Sequence, residues 1–252
     1  MGNAEGEAGL EMTLAGGTFE FDSNALVAIA GADFEAGIPL WTAVEVTAGE
    51  QVRCGHARQG ARCYLCVTGG IDVPPVLGSA STHLLTAMGG LEGRPLKRGD
   101  VLDVAQALMP AAPGLLPAQI WSASDTIRVT SPADASPLCA ATWQVKEDSD
   151  RMGLRLRGPA LERCAGHMLT EGVPLGAIQV PPDGQPIILF VEHQTTGGYP
   201  KIANVISADF HRVGQLRPRD QVRFEQVSIE TALTLLRTQE DWLHSLAERA
   251  RA

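Results

Sequence analysis

Apolar residues recur along most of the chain in short runs that alternate in part with polar ones, the pattern of strands with one face in a core. The runs predict strands at Glu11–Leu14, Thr18–Phe21, Ala25–Ile29, Ala43–Val46, Glu50–Arg53, Cys63–Val67, Val101–Val104 and Thr126–Thr130. Further candidates are Trp143–Val145, Leu154–Leu156, Gly176–Val180, Pro186–Glu192 and Asp220–Phe224. Gly, Asp or Pro closes most runs, and Gly49-Glu50 and Gly99-Asp100 read as tight turns feeding strands. Helical spacing is clear only at the C-terminus. There Ser228 is a capping residue and Leu233, Leu236, Trp242, Leu243 and Leu246 form an apolar stripe. A shorter helix is predicted over Ser81–Met88. Pro110–Pro117, with three Pro and one Gly, predicts a loop or linker, and Ser131–Pro137 a second turn-rich patch. The reading is a mainly β protein of two lobes, 1–130 and 131–252, the second carrying the terminal helix, with no βαβ rhythm.

Composition supports a packed β protein. The 252 residues are 44% hydrophobic and 19% charged, enough apolar material for a real core, and 27 Gly with 16 Pro suit many turns. The formal charge of −9 argues against a nucleic-acid partner, since the basic stretches Arg151–Arg163 and Arg212–Arg223 are interleaved with apolar residues. The acidic, Gly-rich start Met1–Gly9 is unlike a signal peptide, and the apolar stretch Ile187–Val191 is far too short to span a bilayer. Five irregularly spaced cysteines fit a reducing compartment, so a cytoplasmic protein with no membrane partner is expected.

Cys63-Tyr-Leu-Cys66 has the spacing of a zinc half-site. On a strand, however, residues three apart point to opposite faces, and no second Cys/His pair matches; no metal is expected. Three other segments are more particular than ordinary loops. Gly69-Gly-Ile-Asp-Val-Pro-Pro-Val-Leu-Gly-Ser-Ala-Ser-Thr82, followed by Gly89–Arg94, pairs glycines that permit close backbone approach with the hydroxyls of Ser79, Ser81 and Thr82. A long loop held by its own turns is the plainer reading. Gly176–Pro186 reads as a hairpin around Pro182-Asp183-Gly184, in which Gln179 exceeds what a hairpin requires. Glu192-His-Gln-Thr-Thr-Gly-Gly-Tyr-Pro-Lys-Ile202 follows an apolar strand and puts a polar string at the rim of a buried sheet. Gln194, Thr195 and Thr196 offer hydrogen bonds, Gly197 and Gly198 backbone amides, and Lys201 a positive charge: a cradle for a carboxylate, a phosphoryl group or an oxyanion. There is no Walker A sequence, no Gly-x-Ser-x-Gly elbow and no His-Glu-x-x-His.

Gly69–Ser79 with Gly90-Leu-Glu-Gly-Arg94, Asp150-Arg-Met-Gly-Leu-Arg-Leu-Arg-Gly-Pro159, Gly176–Pro186 and Gln194-Thr-Thr-Gly-Gly-Tyr-Pro-Lys-Ile-Ala203 carry a resemblance. They closely resemble the family of the 5-oxoprolinase C subunit, also called allophanate hydrolase subunit 2 or the biotin-dependent carboxyltransferase domain, to which the KipA-like regulators belong. The resemblance covers Gly9 to Glu225. Two departures stand out. The family pattern begins with a segment carrying Thr-Val-Gln-Asp-Leu-Gly-Arg-like and Ser-Gly-Ala-Met-Asp-like motifs, and this chain starts after both, so its first lobe is expected to be incomplete. It is also shorter around Ala36–Pro39 and Ala135–Ala141. The resemblance implies two cyclophilin-like β-barrel lobes. It implies ATP-dependent opening of 5-oxo-L-proline to L-glutamate, active only in complex with the 5-oxoprolinase B and A subunits (KipI-like and lactam-utilisation-like proteins). It implies further that ATP is used at the level of the complex, with nothing bound covalently. Catalytic roles are expected for Lys201, Gln194, Thr195 and Thr196, and substrate contacts for Gly197, Gly198, Tyr199, Gln179, Asp72 and Ser79. The alternatives are biotin-dependent carboxyl transfer, with Gln194 and Lys201 polarising carboxybiotin, and a non-enzymatic regulatory binder.

Overall fold

The apolar runs fold as short strands in two units in the computed structural model, which describes residues 1–4, 6–106, 114–115, 125–132, 135–162 and 170–251. The units are 1–120 with 247–252, and 121–246. The predominance of strands follows the sequence reading.

Unit one contains β1 (Leu10–Thr13), β2 (Thr18–Glu20), β3 (Ala25–Gly31), β4 (Thr42–Val46), β5 (Gln51–Arg53), β6 (Arg62–Val67) and β7 (Gly114–Leu115). Its five-stranded sheet is open, in the order β1-β6-β3-β4-β7, and β2 pairs with β5 as a separate ribbon. Val27, Ile29, Phe34, Val46 and Leu65 are fully buried in its core, each side chain contributing about 1.5–3 kcal/mol of hydrophobic stabilisation. On β6, Cys63, Leu65 and Val67 point into that core, while Tyr64 and Cys66 occupy the other face. The alternation expected of the two cysteines is therefore present.

Between β6 and residue 104 the chain runs as a long structured loop. The predicted helix over Ser81–Met88 is reduced to one 3-10 turn, Leu84–Thr86, because Ala87 turns left-handed at φ 52° and ends it. The predicted strand Val101–Val104 is a single bridge from Val104 to Ile71; Val101 is exposed and pairs with no strand among the described residues. The glycines serve the loop's own packing. A Cβ on Gly70, at φ 75°, would come 2.7 Å from a carboxylate oxygen of Glu7, and Gly90 lies against Thr82. Arg94 then pins the segment by two bonds to Asp100, at 2.7 and 3.0 Å.

The second unit is a closed barrel. Its strands are β8 (Thr126–Thr130), β9 (Trp143–Val145), β10 (Gly153–Arg157), β12 (Ala177–Gln179), β13 (Ile187–Leu189), β15 (Lys201–Val205) and β16 (Gln221–Gln226), and a two-stranded ribbon joins β11 (Glu171–Gly172) to β14 (Thr196–Gly197). The ring order is β10-β13-β12-β15-β8-β16-β9, antiparallel throughout except for β8 with β16. Thr126–Thr130, placed by the sequence in the first lobe, is thus a barrel strand; without it β15 and β16 would be unpaired edges. Trp143 fills the centre with Ile127, Leu156, Ile178, Ile188 and Val222, and its indole N–H donates to Leu138 C=O at 2.9 Å.

A four-residue helix, α1 (Ser136–Cys139), begins at the last two positions of the predicted turn patch, whose residues 133 and 134 lie outside the described residues. The predicted linker Pro110–Pro117 also lies outside them, except Gly114–Leu115, which pair with β4. The short α2 (Phe210–Val213) follows β15, and α3 (Ile229–Arg251) closes the chain. Ser228 caps α3 as its sequence predicts, its Oγ accepting from Thr231 N–H at 3.1 Å. Among the described residues, no helix is long and apolar enough to cross a membrane.

Candidate functional site

The polar string after β13 does not remain a loop. Thr196–Gly197 becomes β14 and pairs with Glu171–Gly172, and Val173 N–H donates to Thr195 C=O at 3.1 Å. From Lys201 onward the chain is already β15. The sequence missed this strand because Ile202, Ala203 and Val205 are preceded by glycines, a proline and a lysine, which mask the alternation.

A bulge aims the lysine. Along β12 and β15, Ile178 opposes Ala203 but Gln179 opposes Lys201, so Ile202 is an extra residue in the ladder. Regular alternation would set Lys201 on the same side as Ala203, in the barrel core. The bulge puts it across from Gln179 on the outer face, where cross-strand partners lie side by side. Below them Ala177, Leu189 and Val173 form a small buried apolar patch on the outside of the barrel.

Gln179 is only 1% exposed, a rare state for a carboxamide, and its bonds explain how it is tolerated. Its Nε2 donates to Tyr199 C=O at 3.2 Å, and its Oε1 accepts from Gln194 Nε2 at 3.1 Å. Val180 N–H donates to Pro200 C=O at 3.0 Å, so the Gly197–Pro200 segment is fastened at two points, to the last residue of β12 and to the one after it. Buried Gly197 lies directly on Gln179. Lys201 is half-buried and places Nζ 3.5 Å from Glu171 Oε1. Glu171, with no sequence signal of its own, is the member of the site that the sequence reading overlooked; only the β11–β14 pairing brings it here.

Eight of the ten predicted site residues therefore gather on one outer face of the barrel: Gln179, Gln194, Thr195, Thr196, Gly197, Gly198, Tyr199 and Lys201. Thr195, Thr196, Gly198 and Tyr199 are exposed. The remaining two, Asp72 and Ser79, belong to the first unit, where both are exposed; Asp72 N–H donates to Asp103 C=O and Ser79 Oγ accepts from Ser81 N–H. At the base of the polar string, Arg151 Nε donates to Glu192 Oε1 at 2.5 Å and Arg151 C=O accepts from Glu192 N–H at 2.8 Å. His193 Nδ1 donates to Gln194 C=O at 2.7 Å. The face holds carboxylates paired with cations, amide groups and exposed hydroxyls, a set suited to a small polar ligand.

The described charges do not fit a triphosphate. Lys201 is offset by Glu171 and Arg151 by Glu192, so this face offers little net positive charge.

Residues 1–226 match the model of the family described as carboxyltransferase domain, subdomain A and B. The C subunit of 5-oxoprolinase from Escherichia coli K12 is 36% identical over 262 residues, covering 99% of this chain and 84% of that protein. The crystal structure of Kluyveromyces lactis urea amidolyase superposes with a TM-score of 0.88 at 28% identity, over 97% of this chain and 17% of that one. Kluyveromyces lactis urea carboxylase superposes with a TM-score of 0.85, also at 28% identity, and this chain spans 25% of its length. The family model spans both units and the polar face alike, and the chain belongs to the carboxyltransferase domain family, subdomains A and B, as a homologue of the 5-oxoprolinase C subunit.

Proposed function

We propose that this chain is the C subunit of a cytoplasmic, ATP-dependent 5-oxoprolinase, opening 5-oxo-L-proline to L-glutamate together with the A and B subunits. The observation that carries the reading is the 36% identity to the 5-oxoprolinase C subunit over nearly the whole chain, with a polar face that pairs an ammonium with hydroxyls and amides. A lactam is resonance-stabilised, so its opening needs activation, which ATP supplies at the level of the complex. This chain's part is to hold and orient the small substrate. Lys201 sits where it can meet the substrate carboxylate or an oxyanion that develops as water adds to the ring carbonyl, and the exposed Thr195 and Thr196, on the segment leading through β14, add hydroxyl donors. Partner subunits are part of the proposal. Leu77, 94% exposed, and Leu85, 76% exposed, stand outward on the segment pinned by Arg94 and Asp100, the kind of surface that a partner covers.

The test is an ATP-hydrolysis and glutamate-release assay on the purified chain, alone and with its partner subunits. Glutamate from 5-oxoproline with the partners, and none from the chain alone, is expected. Turnover of 5-oxoproline by the chain alone, or none with the partners present, overturns the proposal. A second reading, biotin-dependent carboxyl transfer, draws support from the fold shared with urea carboxylase. It predicts instead carboxylation of urea when a biotin carboxylase and bicarbonate are supplied.

A further inference from the structure

We propose that Gln179 is a positioning residue that turns the carboxamide oxygen of Gln194 outward, so that the ligand of this face is recognised through an N–H donor. Resting on the oxoprolinase reading above, that donor is the lactam nitrogen of 5-oxoproline.

The orientation follows from which atoms can donate. A backbone carbonyl only accepts, so the Gln179 atom 3.2 Å from Tyr199 C=O must carry hydrogen and is Nε2. Gln179 Oε1 then faces Gln194, and the Gln194 atom 3.1 Å from it must be Nε2. Flipping the inner amide would set two acceptors against each other at the Tyr199 carbonyl; flipping the outer one would set oxygen against oxygen. At a position 1% exposed, neither fault can be repaired by water. Gly197 packs on the Gln179 side chain, so close that a Cβ there would meet Nε2 at 2.5 Å.

Gln194 Oε1 is what this arrangement leaves over. No described residue donates to it, and it is not among the described polar atoms sealed from solvent without a partner. A lone-pair oxygen held at the rim selects an N–H or O–H. In 5-oxoproline at neutral pH the ring nitrogen alone carries such a hydrogen, whereas the carboxylate and lactam oxygens only accept. Those acceptors suit Lys201, across the ladder from Gln179, and the exposed hydroxyls of Thr195 and Thr196. In this arrangement Gln194 acts as an acceptor, a different part from the polarising one it would have in the carboxyl-transfer alternative.

The experiment is equilibrium binding to the assembled complex without ATP, so that no ring is opened, comparing 5-oxoproline with its lactone isostere, in which a ring oxygen replaces the N–H. The native complex should bind the lactam at least about tenfold more tightly, because a site built around an N–H leaves a polar group unpaired when that hydrogen is absent. Gln194→Met and Gln179→Met should each bring the ratio to within about twofold of one, a change that a purely structural role would not produce. If Gln179→Met does not assemble, Gly197→Ala, which displaces the same amide, takes its place. A native complex that does not discriminate, or variants that keep the native ratio, overturn the proposal. Glutamate release by the native complex with ATP is measured alongside. Its absence overturns the oxoprolinase reading and the lactam assignment with it, whereas release with an unchanged ratio overturns the positioning role alone.

Discussion

Gly197 lies so close to Gln179 that a Cβ on it would come 2.5 Å from Gln179 Nε2. That atom is the far end of a side chain, but not a yielding one: it is buried and donates to Tyr199 C=O. Gly197→Ala must therefore push the carboxamide off its partners or push the β14 ribbon outward. Either costs about 1–3 kcal/mol, the range for overpacking a filled site. We expect a lower midpoint in denaturant with an unchanged slope, together with weaker substrate binding. A variant as stable as the native protein would show that the Gln179 side chain has room to move.

Asp209 is completely buried and accepts three bonds from Arg128: from the backbone N–H at 2.8 Å, Nε at 3.0 Å and Nη2 at 2.5 Å. Arg212 Nε lies 3.4 Å from the same carboxylate. Burial pushes the Asp209 carboxyl up, but the Arg128 bonds and the two guanidinium charges outweigh it and hold the group below its ordinary value. A carboxyl depressed in the folded state adds stability above its unfolded pKa, about 3.9, and that stability is lost as pH falls through the lower folded value. Asp209→Asn should cost on the order of 3–5 kcal/mol at pH 7, since it removes the buried carboxylate that Arg128 and Arg212 both face. It should also flatten the loss of stability on acidification below about pH 4. Urea titrations of both proteins across that range check it; parallel pH profiles would remove Asp209 from the account.

Much of the fold was legible in the chain because each strand is short and bounded by a turn residue. Val27 and Ile29 alternate inward as written, and Ser228 caps the only long helix among the described residues. The strand at Lys201–Val205 was not legible, since its start is a bulge and bulges break the period of two on which a strand is recognised. For the same reason the site was half visible. Gln194, Thr196 and Gly197 announce themselves as a polar string, but nothing local says that Lys201 comes to stand beside Gln179 or that Glu171 comes to face it. Those are consequences of register. Conversely, the glycines of 69–93 looked like openings for a ligand, whereas Gly70 and Gly90 are filled by Glu7 and Thr82 of the same chain.

Cys63 should be chemically silent. Burial, with smaller contributions from Cys54 and Asp33, pushes its thiol up to about 12. At pH 8 only about one molecule in ten thousand then carries the reactive thiolate. Iodoacetamide on the folded protein should leave Cys63 unlabelled over hours, and unfolding in urea should expose it to quantitative labelling, both read by peptide mass spectrometry. Rapid labelling of Cys63 under native conditions would mean that the β6 face opens far more readily than its packing among Leu65, Val67 and Ile29 allows.

Lys201 offers the sharpest test of chemistry against structure. Its ammonium is half-buried, fixed across from Gln179 by the bulge and 3.5 Å from Glu171, so its position does not depend on a ligand. A partly exposed ion pair of this kind contributes about 0–1 kcal/mol to folding. Lys201→Met keeps most of the aliphatic stem and should shift thermal stability little, leaving assembly with partner subunits intact. A positive charge next to a developing oxyanion is a different matter: loss of one such contact typically raises the barrier by about 3 kcal/mol, a hundredfold or more in rate. The variant complex should therefore show a fall in kcat of that size, with KM for 5-oxoproline rising less. Glu171→Gln separates the two effects, because it removes the ion pair while keeping the ammonium, and it should retain turnover within about tenfold. Near-normal turnover by Lys201→Met would return this lysine to a purely structural pairing with Glu171.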